Sequence, residues 1–482
     1  MIVEKLSLYC TNEQLEYDTY LLVKEFFTGR DILRQNEDSD AFLYCDYKEG
    51  ASAFRYADSG EKTELTYPVN APSEDKKAFK RAHMSNLYQA LHTVTKTDLP
   101  WGSLTGVRPT KFARQMIMAG KTEEEVRDFY RTDRFVSEEK TNLAIEIAKC
   151  EAGIIGKIDP LKGYSLYIGI PFCPSRCLYC SFLSNPIIKW QERVEEYLSC
   201  LEKELILTKE LFAERPLNTI YIGGGTPTSL SAEELKILMD MIHCHTLVAN
   251  TVEFTVEAGR PDSITKEKLR VLKENGVNRI SVNPQTMNDE TLRLIGRNHE
   301  TKQTIDAFLS AREEGFTNIN MDIIIGLPGE KISHVGNTME QIIKLAPDSL
   351  TVHSLALKRS AGMKDWMKEQ NADTAFSDSP EEMMKIAAKG ALELGLNPYY
   401  LYRQKNIAGN LENVGFSKVG KEGIYNVLMM EEVQTIVAAG AGTVSKKVLS
   451  EKEISRCDTA KDIGLYMDQI DEMLARKKEL FS

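Results

Sequence analysis

No stretch of this chain is apolar for long enough to cross a bilayer, which takes about 20 consecutive residues. Met1 to Asp18 also lacks the basic-then-apolar layout of a secretory leader. Positive charge is scarce: 60 Lys and Arg against 71 Asp and Glu leave a formal charge of −11, which excludes a general nucleic-acid footprint. The cysteines number nine, an odd count, and those at 10, 45, 150, 200, 244 and 457 are scattered. They read as small buried apolar residues, and no disulfide framework is expected. Together these absences predict a soluble cytosolic protein with no membrane and no nucleic-acid partner. At 482 residues the chain exceeds a single core, so two or three domains are expected.

What the chain does have is concentrated between Ile170 and Phe182. Cys173, Cys177 and Cys180 stand there at C-x3-C-x2-C spacing, directly after the apolar run Leu166 to Ile170. A loop this tight turns three thiolates toward one point and supplies no fourth. Three ligands on a four-iron cluster leave one iron open to bind something else. An incomplete shell marks a metal centre that reacts, whereas a closed one, such as a structural zinc knuckle, mostly holds structure.

Residues 1 to about 160 show mixed patterning. Ala41 to Cys45 and Ala51 to Tyr56 predict strands of a small antiparallel sheet, and 76–95 and 122–152 predict helices. The loop Leu99 to Lys111 admits two readings, an anion-binding loop or a turn that docks Trp101. From Tyr164 short apolar strands alternate with helices. Strands are expected at 165–170, 218–223, 253–258, 279–285, 318–327 and 349–357, and helices at 190–213, 231–243, 265–275, 301–314, 331–345 and 380–395. Six strand–helix units in succession imply a parallel sheet, with its active site at the carboxyl ends of the strands. Expected domains are 1–160, 161–395 and 396–482. Residues 436–445 read as strand and turn, and 451–482 as a terminal helix.

The strand ends bear out the rule in their composition. The cysteine loop follows strand one, and Gly223-Gly224-Gly225-Thr226-Pro227-Thr228 follows strand two. Alternation puts Glu253, Thr255 and Glu257 on one face of strand three, and Ser281, Asn283 and Gln285 on one face of strand four. Strand five carries Asp322. A fully packed sheet would be near-continuously apolar. This polar face is therefore expected to line a ligand cavity, the rival being a buried hydrogen-bond network. Glycines 223–225 admit close backbone approach, and their N–H groups are expected to meet a carboxylate or ribose. The histidines at 243, 245, 299, 334 and 353 show no ligand-pair spacing and read as structural.

The cysteine loop, the GGGTP turn and their order on strand–helix units resemble the radical S-adenosylmethionine (SAM) enzymes. Tyr167 to Cys173, Arg279 to Gln285, Met321 to Gly329, Gly106 to Lys111 and Tyr402 to Gly415 resemble, more narrowly, the oxygen-independent coproporphyrinogen III oxidase group and its HemZ-type branch. The resemblance implies an α/β fold: a partial (β/α)6 radical SAM barrel with an N-terminal α+β domain and a small C-terminal α/β extension. It implies a [4Fe–4S] cluster on Cys173, Cys177 and Cys180, with SAM on its open iron. Tyr179, Phe182, Gly224, Gly225, Thr226, Glu257, Gln285, Arg297 and Asp322 would contact SAM. Tyr167, Arg260 and Arg403 are the candidate catalytic contacts, with Arg359 and Lys405 as further cations for a substrate of four carboxylates.

The implied reaction converts two propionates of coproporphyrinogen III to vinyl groups, giving protoporphyrinogen IX in heme biosynthesis. A tetrapyrrole substrate and a reduced flavodoxin or ferredoxin-type electron donor are the implied partners. Two positions depart from the better-known bacterial oxidases, which carry a further cysteine where this chain has Ser181-Phe182, and a histidine where it has Gly169. A related group acts as heme chaperones. Their His-Asn-x-x-Tyr-Trp-like signature is matched only by Tyr425 to Met430, where Met429 and Met430 are the candidate heme ligands.

Overall fold

The computed structural model describes residues 4–35, 41–356, 362, 363, 366, 369, 379–404, 411–450 and 453–482. The chain divides into two compact units, Met1–Lys149 and Cys150–Ser482. Among the described residues no helix is long and apolar enough to cross a membrane. None of the nine cysteines is in a disulfide.

The first unit holds a five-stranded sheet of β1 (Lys5–Cys10), β2 (Asp31–Arg34), β3 (Phe42–Lys48), β4 (Ala51–Asp58) and β5 (Glu61–Pro68). Its order is β2-β1-β3-β4-β5. The sheet is mixed, not purely antiparallel, because β1 runs parallel to both β2 and β3. Helices Glu13–Phe26 and Lys76–Thr95 start at Asn12 and Asp75, whose side chains cap the first free N–H groups. Leu22, Val23, Leu87 and Leu91 close one core with Leu6, Leu8 and Phe54. The helix expected over 122–152 is broken: Glu123–Asp128 runs into a π turn, and a second helix starts at Glu138. Between them Phe135 takes a left-handed φ of 57°. Its ring lies flat on Tyr88, 4.9 Å away. The Leu99–Lys111 loop is a turn with Trp101 buried.

The second unit is organised on one eleven-stranded sheet. Its strands are β6 (Tyr164–Ile170), β9 (Leu217–Gly224), β10 (Glu253–Glu257), β11 (Arg279–Ser281), β12 (Ile319–Ile325), β13 (Ser349–Ser354), β14 (Asn397–Arg403), β15 (Glu412–Ser417), β16 (Thr435–Ala439), β17 (Val444–Ser450) and β18 (Glu453–Asp458). A two-residue ladder, β7 (Phe172–Cys173) on β8 (Asn185–Pro186), brackets the cysteine loop. Strands β6 and β9 to β13 lie side by side in chain order and all parallel, an open (β/α)6 barrel.

Residues 396–482 extend this sheet at both edges. Strands β15 and β14 add antiparallel beyond β13; β16 adds parallel to β6, followed by β17 and β18. The terminal helix expected from 451 is instead β18 followed by helices Ile463–Asp468 and Ile470–Phe481. Strand four is also shorter than expected. It ends at Ser281, and the chain returns as a single bridge from Gln285 to Ile323.

The crossover helices form where the chain supplies caps and an apolar stripe. Ser231 and Glu234 make a capping box for Ala232–His245, whose Leu235, Leu238, Met239 and Ile242 are buried. Thr265 caps Lys266–Glu274, and Ser379 with Pro380 starts Pro380–Glu393. Each fully buried Leu or Ile on these faces contributes about 1.5–3 kcal/mol of burial free energy.

The inward face of the sheet is polar along its whole length, and it divides in two. Toward the amino ends most of its groups satisfy one another, Arg279 Nε being left without a partner. Thr219 Oγ1 donates to Ser165 Oγ (2.8 Å), which donates to Gln434 (2.5 Å). Thr255 donates to Glu253 (2.9 Å), and Arg279 to Ser349 (3.2 Å). Asn320 donates to Ser281 (2.9 Å) and accepts from Ser349 (3.0 Å). Toward the carboxyl ends Glu257, Asn283, Gln285 and Asp322 face a cleft. Glu253, Thr255 and Ser281 therefore belong to the network and not to the cavity wall.

Candidate active site

The cleft sits at the carboxyl edge of the parallel strands and offers about 1110 Å³ of empty space, its open mouth included. Cys173, Cys177 and Cys180 line it together. The loop that carries them is pinned from three sides. Asn185 N donates to Pro171 O (2.9 Å), Leu178 N to Ile295 O (3.0 Å), and Cys180 N closes a turn on Cys177 O (3.1 Å). Burial pushes the Cys173 thiol up to about 11 and raises Cys180 as well. Thiols held this way are deprotonated by the cation they ligate. Among the described residues no three His, Cys, Asp or Glu side chains are grouped as ligands of a single ion.

The GGGTP turn serves the loop first. Gly225 N donates to Ile170 O and Thr226 N to Phe172 O, both at 2.7 Å. Both amides are thus committed to the cysteine loop, and of the glycine N–H groups expected to meet a ligand that of Gly225 does not. A Cβ on Gly225 would lie 2.5 Å from Phe172 O, and Gly224 has a φ of +105°. Only glycine lets the two loops approach this closely. Thr226 Oγ1 sits 3.4 Å from Cys173 Sγ.

Two guanidinium groups line the cleft, and both are engaged. Arg260 binds Asp262 through Nε (2.8 Å) and Nη2 (2.7 Å), donates to Ser175, and reaches Cys177 Sγ at 3.5 Å. It supports the cysteine loop and is not a free fork for a substrate carboxylate. Arg297 donates to Tyr179 Oη (2.9 Å), Gly259 O (2.8 Å) and Asn283 O (2.7 Å). Tyr179 is thereby fixed beside the loop, packed with Leu178 and Leu292.

The two carboxyl groups are shifted in opposite directions. Burial pushes Glu257 up to about 7, against the hydrogen bond it accepts from Tyr221 Oη (2.5 Å). Burial would also raise Asp322, but His353, Asn320 (2.7 Å to Oδ1) and Thr351 outweigh it and hold the carboxyl below its ordinary value. Asn283 Oδ1, Gln285 Oε1 and Arg297 Nε are buried without a hydrogen-bond partner. Orphaned polar atoms in a cleft wall mark where a ligand completes the hydrogen bonding.

The structure thus brings together Cys173, Cys177, Cys180, Tyr179, Phe182, Gly224, Gly225, Thr226, Glu257, Arg260, Gln285, Arg297 and Asp322. Phe182 stands at the mouth, 69 % exposed. Two expected residues are elsewhere. Tyr167 stacks with Tyr221 (6.1 Å) and Tyr425 (6.2 Å) inside the barrel, below the cleft-lining residues. Arg403 is buried on β14 and does not line the cleft; alternation puts it on the face opposite Tyr402. Arg359 and Lys405 lie outside the described residues. The sequence reading missed His353, Tyr402 and Gln404, all in the cleft wall. The available signal for His353 was its place at the carboxyl end of strand six.

Residues 167–342 match the radical SAM superfamily, the class that this fold and this three-cysteine site define. The oxygen-independent coproporphyrinogen-III oxidase-like protein HemZ of Bacillus subtilis is 42% identical over 398 residues, covering 80% of this chain and 78% of that protein. The heme chaperone HemW of B. subtilis is 38% identical over 264 residues, 55% of this chain and 66% of that protein. Among solved structures, coproporphyrinogen III oxidase (HemN) from Escherichia coli, a radical SAM enzyme, superposes with a TM-score of 0.50. That likeness, at 22% identity over 67% of this chain and 73% of that one, concerns the fold. The chain belongs to the HemN/HemZ group of the radical SAM superfamily.

The cofactors of that superfamily are a [4Fe–4S] cluster and SAM. The site fits both: three free thiols share one loop, and the wall beside them carries unpartnered polar atoms on Asn283, Gln285 and Arg297.

Proposed function

We propose that this chain carries out the oxygen-independent oxidative decarboxylation of coproporphyrinogen III to protoporphyrinogen IX, a step of heme biosynthesis. The observation that carries the proposal is the joining of the three-cysteine loop and a polar, mostly pre-formed wall in one cleft that continues past the loop to the edge strands. The name of the HemZ relative supports the substrate class.

When bound, the cluster and SAM supply a 5′-deoxyadenosyl radical by reductive cleavage. Cys173, Cys177 and Cys180 would hold the cluster, with Arg260 placing a fixed positive charge beside Cys177. Asn283, Gln285, Glu257 and Asp322 would orient the nucleoside and the amino-acid end by hydrogen bonds. Tyr179, locked by Arg297, offers a flat apolar face. Enclosure by the sheet and the loop excludes water from a reactive carbon radical. The substrate loses one hydrogen atom from a propionate β-carbon, then carbon dioxide and one electron. A reduced flavodoxin or ferredoxin-type protein would supply the reducing electron, and a separate acceptor must take the one released.

The second reading is heme carriage, supported by the likeness to the HemW chaperone. Against it, Met430 packs in the cluster around Tyr399, Val427 and Leu428, and Met429 packs against the Tyr221–Tyr425 stack. Both act as core filling, not as open axial ligands.

Anaerobic reconstitution with iron, sulfide, SAM and a reductant decides between the two. The expected result is 5′-deoxyadenosine formed in proportion to a product lighter than coproporphyrinogen III by two formic acid equivalents. Tight heme binding with no such product would favour carriage.

A further inference from the structure

The cleft runs across the carboxyl edge of the sheet, from the cysteine loop after β6 to the edge strands. Its far end is built from side chains that the scheme above does not use. His353 on β13 and Tyr402 and Gln404 at the end of β14 line it. Strand β15 lies between them. Tyr402 is opposite Asn413, and Val352 is opposite Val414, so His353 and Tyr402 flank Asn413 across three neighbouring strands. Asn413 is fixed by accepting from Ser354 N (2.9 Å) and donating to Tyr402 O (3.3 Å). Over this base Tyr402 Oη meets His353 Nδ1 at 3.4 Å, and Gln404 Nε2 meets Tyr402 Oη at 3.5 Å. The other ring nitrogen of His353 is 3.8 Å from Asp322 Oδ2.

A ligand that brings carboxylates into this cleft needs donors. Arg260 is taken by Asp262 and the cysteine loop, and Arg297 by Tyr179 and two carbonyls. Glu257 already receives the Tyr221 hydroxyl. Among the described lining residues on the β13–β14 side, Asn413 donates to Tyr402 O and Ser354 Oγ to Glu412 O, which leaves the Tyr402 hydroxyl, the Gln404 amide and the His353 ring as donors for a ligand. Burial pushes the Tyr402 phenol up to about 12, so it keeps its proton and donates. Asp322 behind His353 favours the ring conformer that presents Nδ1 to Tyr402.

We infer that Tyr402, Gln404 and His353 form a seat for a carboxylate of the organic substrate, on the β13–β14 side of the cleft. Tyr402 and Gln404 make the contact, and His353 is a positioning residue: its Nδ1–H, donated to the Tyr402 oxygen, leaves the single hydroxyl proton for the carboxylate. The inference rests on the tetrapyrrole reading, in which the carboxylate is a propionate. A hydroxyl donating to an ionised carboxylate in a partly dehydrated cleft is a charge-assisted bond, and its loss weakens binding by about tenfold.

The test is saturation binding of coproporphyrin III, the stable oxidised tetracarboxylate, to the cluster-loaded full chain, followed by fluorescence. Its tetramethyl ester and SAM are titrated in parallel. The wild type is expected to prefer the tetra-acid to the ester. Tyr402→Phe should weaken the acid about tenfold and narrow that preference. His353→Gln should give a smaller loss, with SAM affinity falling by less than porphyrin affinity in both variants. Wild-type affinity for coproporphyrin III in Tyr402→Phe, or equal binding of acid and ester by the wild type, would overturn the seat and leave the substrate reading standing. A SAM affinity that falls as far as porphyrin affinity would mean that these residues merely support Asp322. No saturable porphyrin binding by the wild type would remove the substrate reading and the seat together.

Discussion

Asp262 offers the sharpest test of how the cysteine loop is held. Its two carboxylate oxygens grip Arg260 through Nε and Nη2 at 2.8 and 2.7 Å. The same guanidinium reaches Ser175 Oγ at 3.2 Å and Cys177 Sγ at 3.5 Å. The side chains are 4% and 14% exposed, so this is a buried pair with one edge near water. Asp262→Ala leaves the cation in place without its counter-charge. Breaking a buried pair from one side costs about 3–5 kcal/mol. The residual exposure of Asp262 puts the expected loss at the lower end, about 3 kcal/mol.

The loss should concentrate on the loop. Iron retained after anaerobic reconstitution and gel filtration, and the midpoint of the thermal transition that carries the cluster absorbance, are both expected to fall. Asp262→Asn keeps an acceptor for Arg260 and should lie between wild type and alanine. Arg260→Gln combined with Asp262→Ala should cost less than the sum of the single changes, because the second deletion removes a charge already stranded. Burial would raise the Asp262 carboxyl, but Arg260 outweighs it and the pKa is lowered. The contribution of the pair is therefore complete above the unfolded value of about 3.9 and drains away only as pH falls through the lower folded value. Across neutral pH the difference between wild type and Asp262→Ala should be flat. Wild-type iron content and midpoint in Asp262→Ala would show that the clamp does not hold the loop.

Cys177→Ala should abolish SAM cleavage while leaving the circular dichroism of the soluble fold largely intact; retained 5′-deoxyadenosine formation would contradict the ligand assignment. Gly225→Ala puts a methyl 2.5 Å from Phe172 O and must separate the turn from the cysteine loop. A cost of about 1–3 kcal/mol and lower iron occupancy are expected by thermal melting and iron assay, and an unchanged variant would refute the close-approach argument. Glu257 is raised by burial to about 7, so between about 4.3 and 7 the folded protein binds a proton that the unfolded chain has released. In the cofactor-free protein this group lowers stability as pH rises through that window. Glu257→Gln should flatten that part of the stability–pH profile; an identical profile would place the titration elsewhere.

The parallel core was legible because its strands are short, largely apolar runs set between amphipathic helices, and the periods of 2 and 3.6 residues are hard to confuse at those lengths. The cysteine loop and the residues at the strand ends were legible for the same reason: the carboxyl edge is where such a sheet leaves space. What was lost depended on partners remote in sequence. Strand β2 has four residues, and β1, buried continuously from Leu6 to Leu8, does not alternate. The turn at Phe135 is set by stacking on Tyr88, 47 residues earlier in the numbering. The commitment of Arg260 to Asp262 was two residues away in the sequence, yet a free cation and a paired one look alike until the burial of both is known. His353 and Tyr402 share a level only through β15, from later in the chain, which pairs with both of their strands.

The two explanations weighed for the polar strand face turn out to occupy different halves of the same strands, and the division has a physical logic. An open barrel of six parallel strands has an interior, and filling it with Ser, Thr, Asn and Arg is tolerable only where each group finds a partner. Asn320 does this for three strands at once, bonding Ser281 on β11, Asp322 on its own strand, and Ser349 and Thr351 on β13. That network fixes Asp322 from below. Where the strands end no protein partner remains, and Asn283 and Gln285 keep unpaired buried oxygens. The network therefore supplies rigidity for positioning, and the unpaired oxygens of Asn283 and Gln285 sit at the edge where a cofactor can complete them. An apolar barrel interior of equal volume would be at least as stable, but it would leave Asp322 free to turn away from the ligand it has to orient.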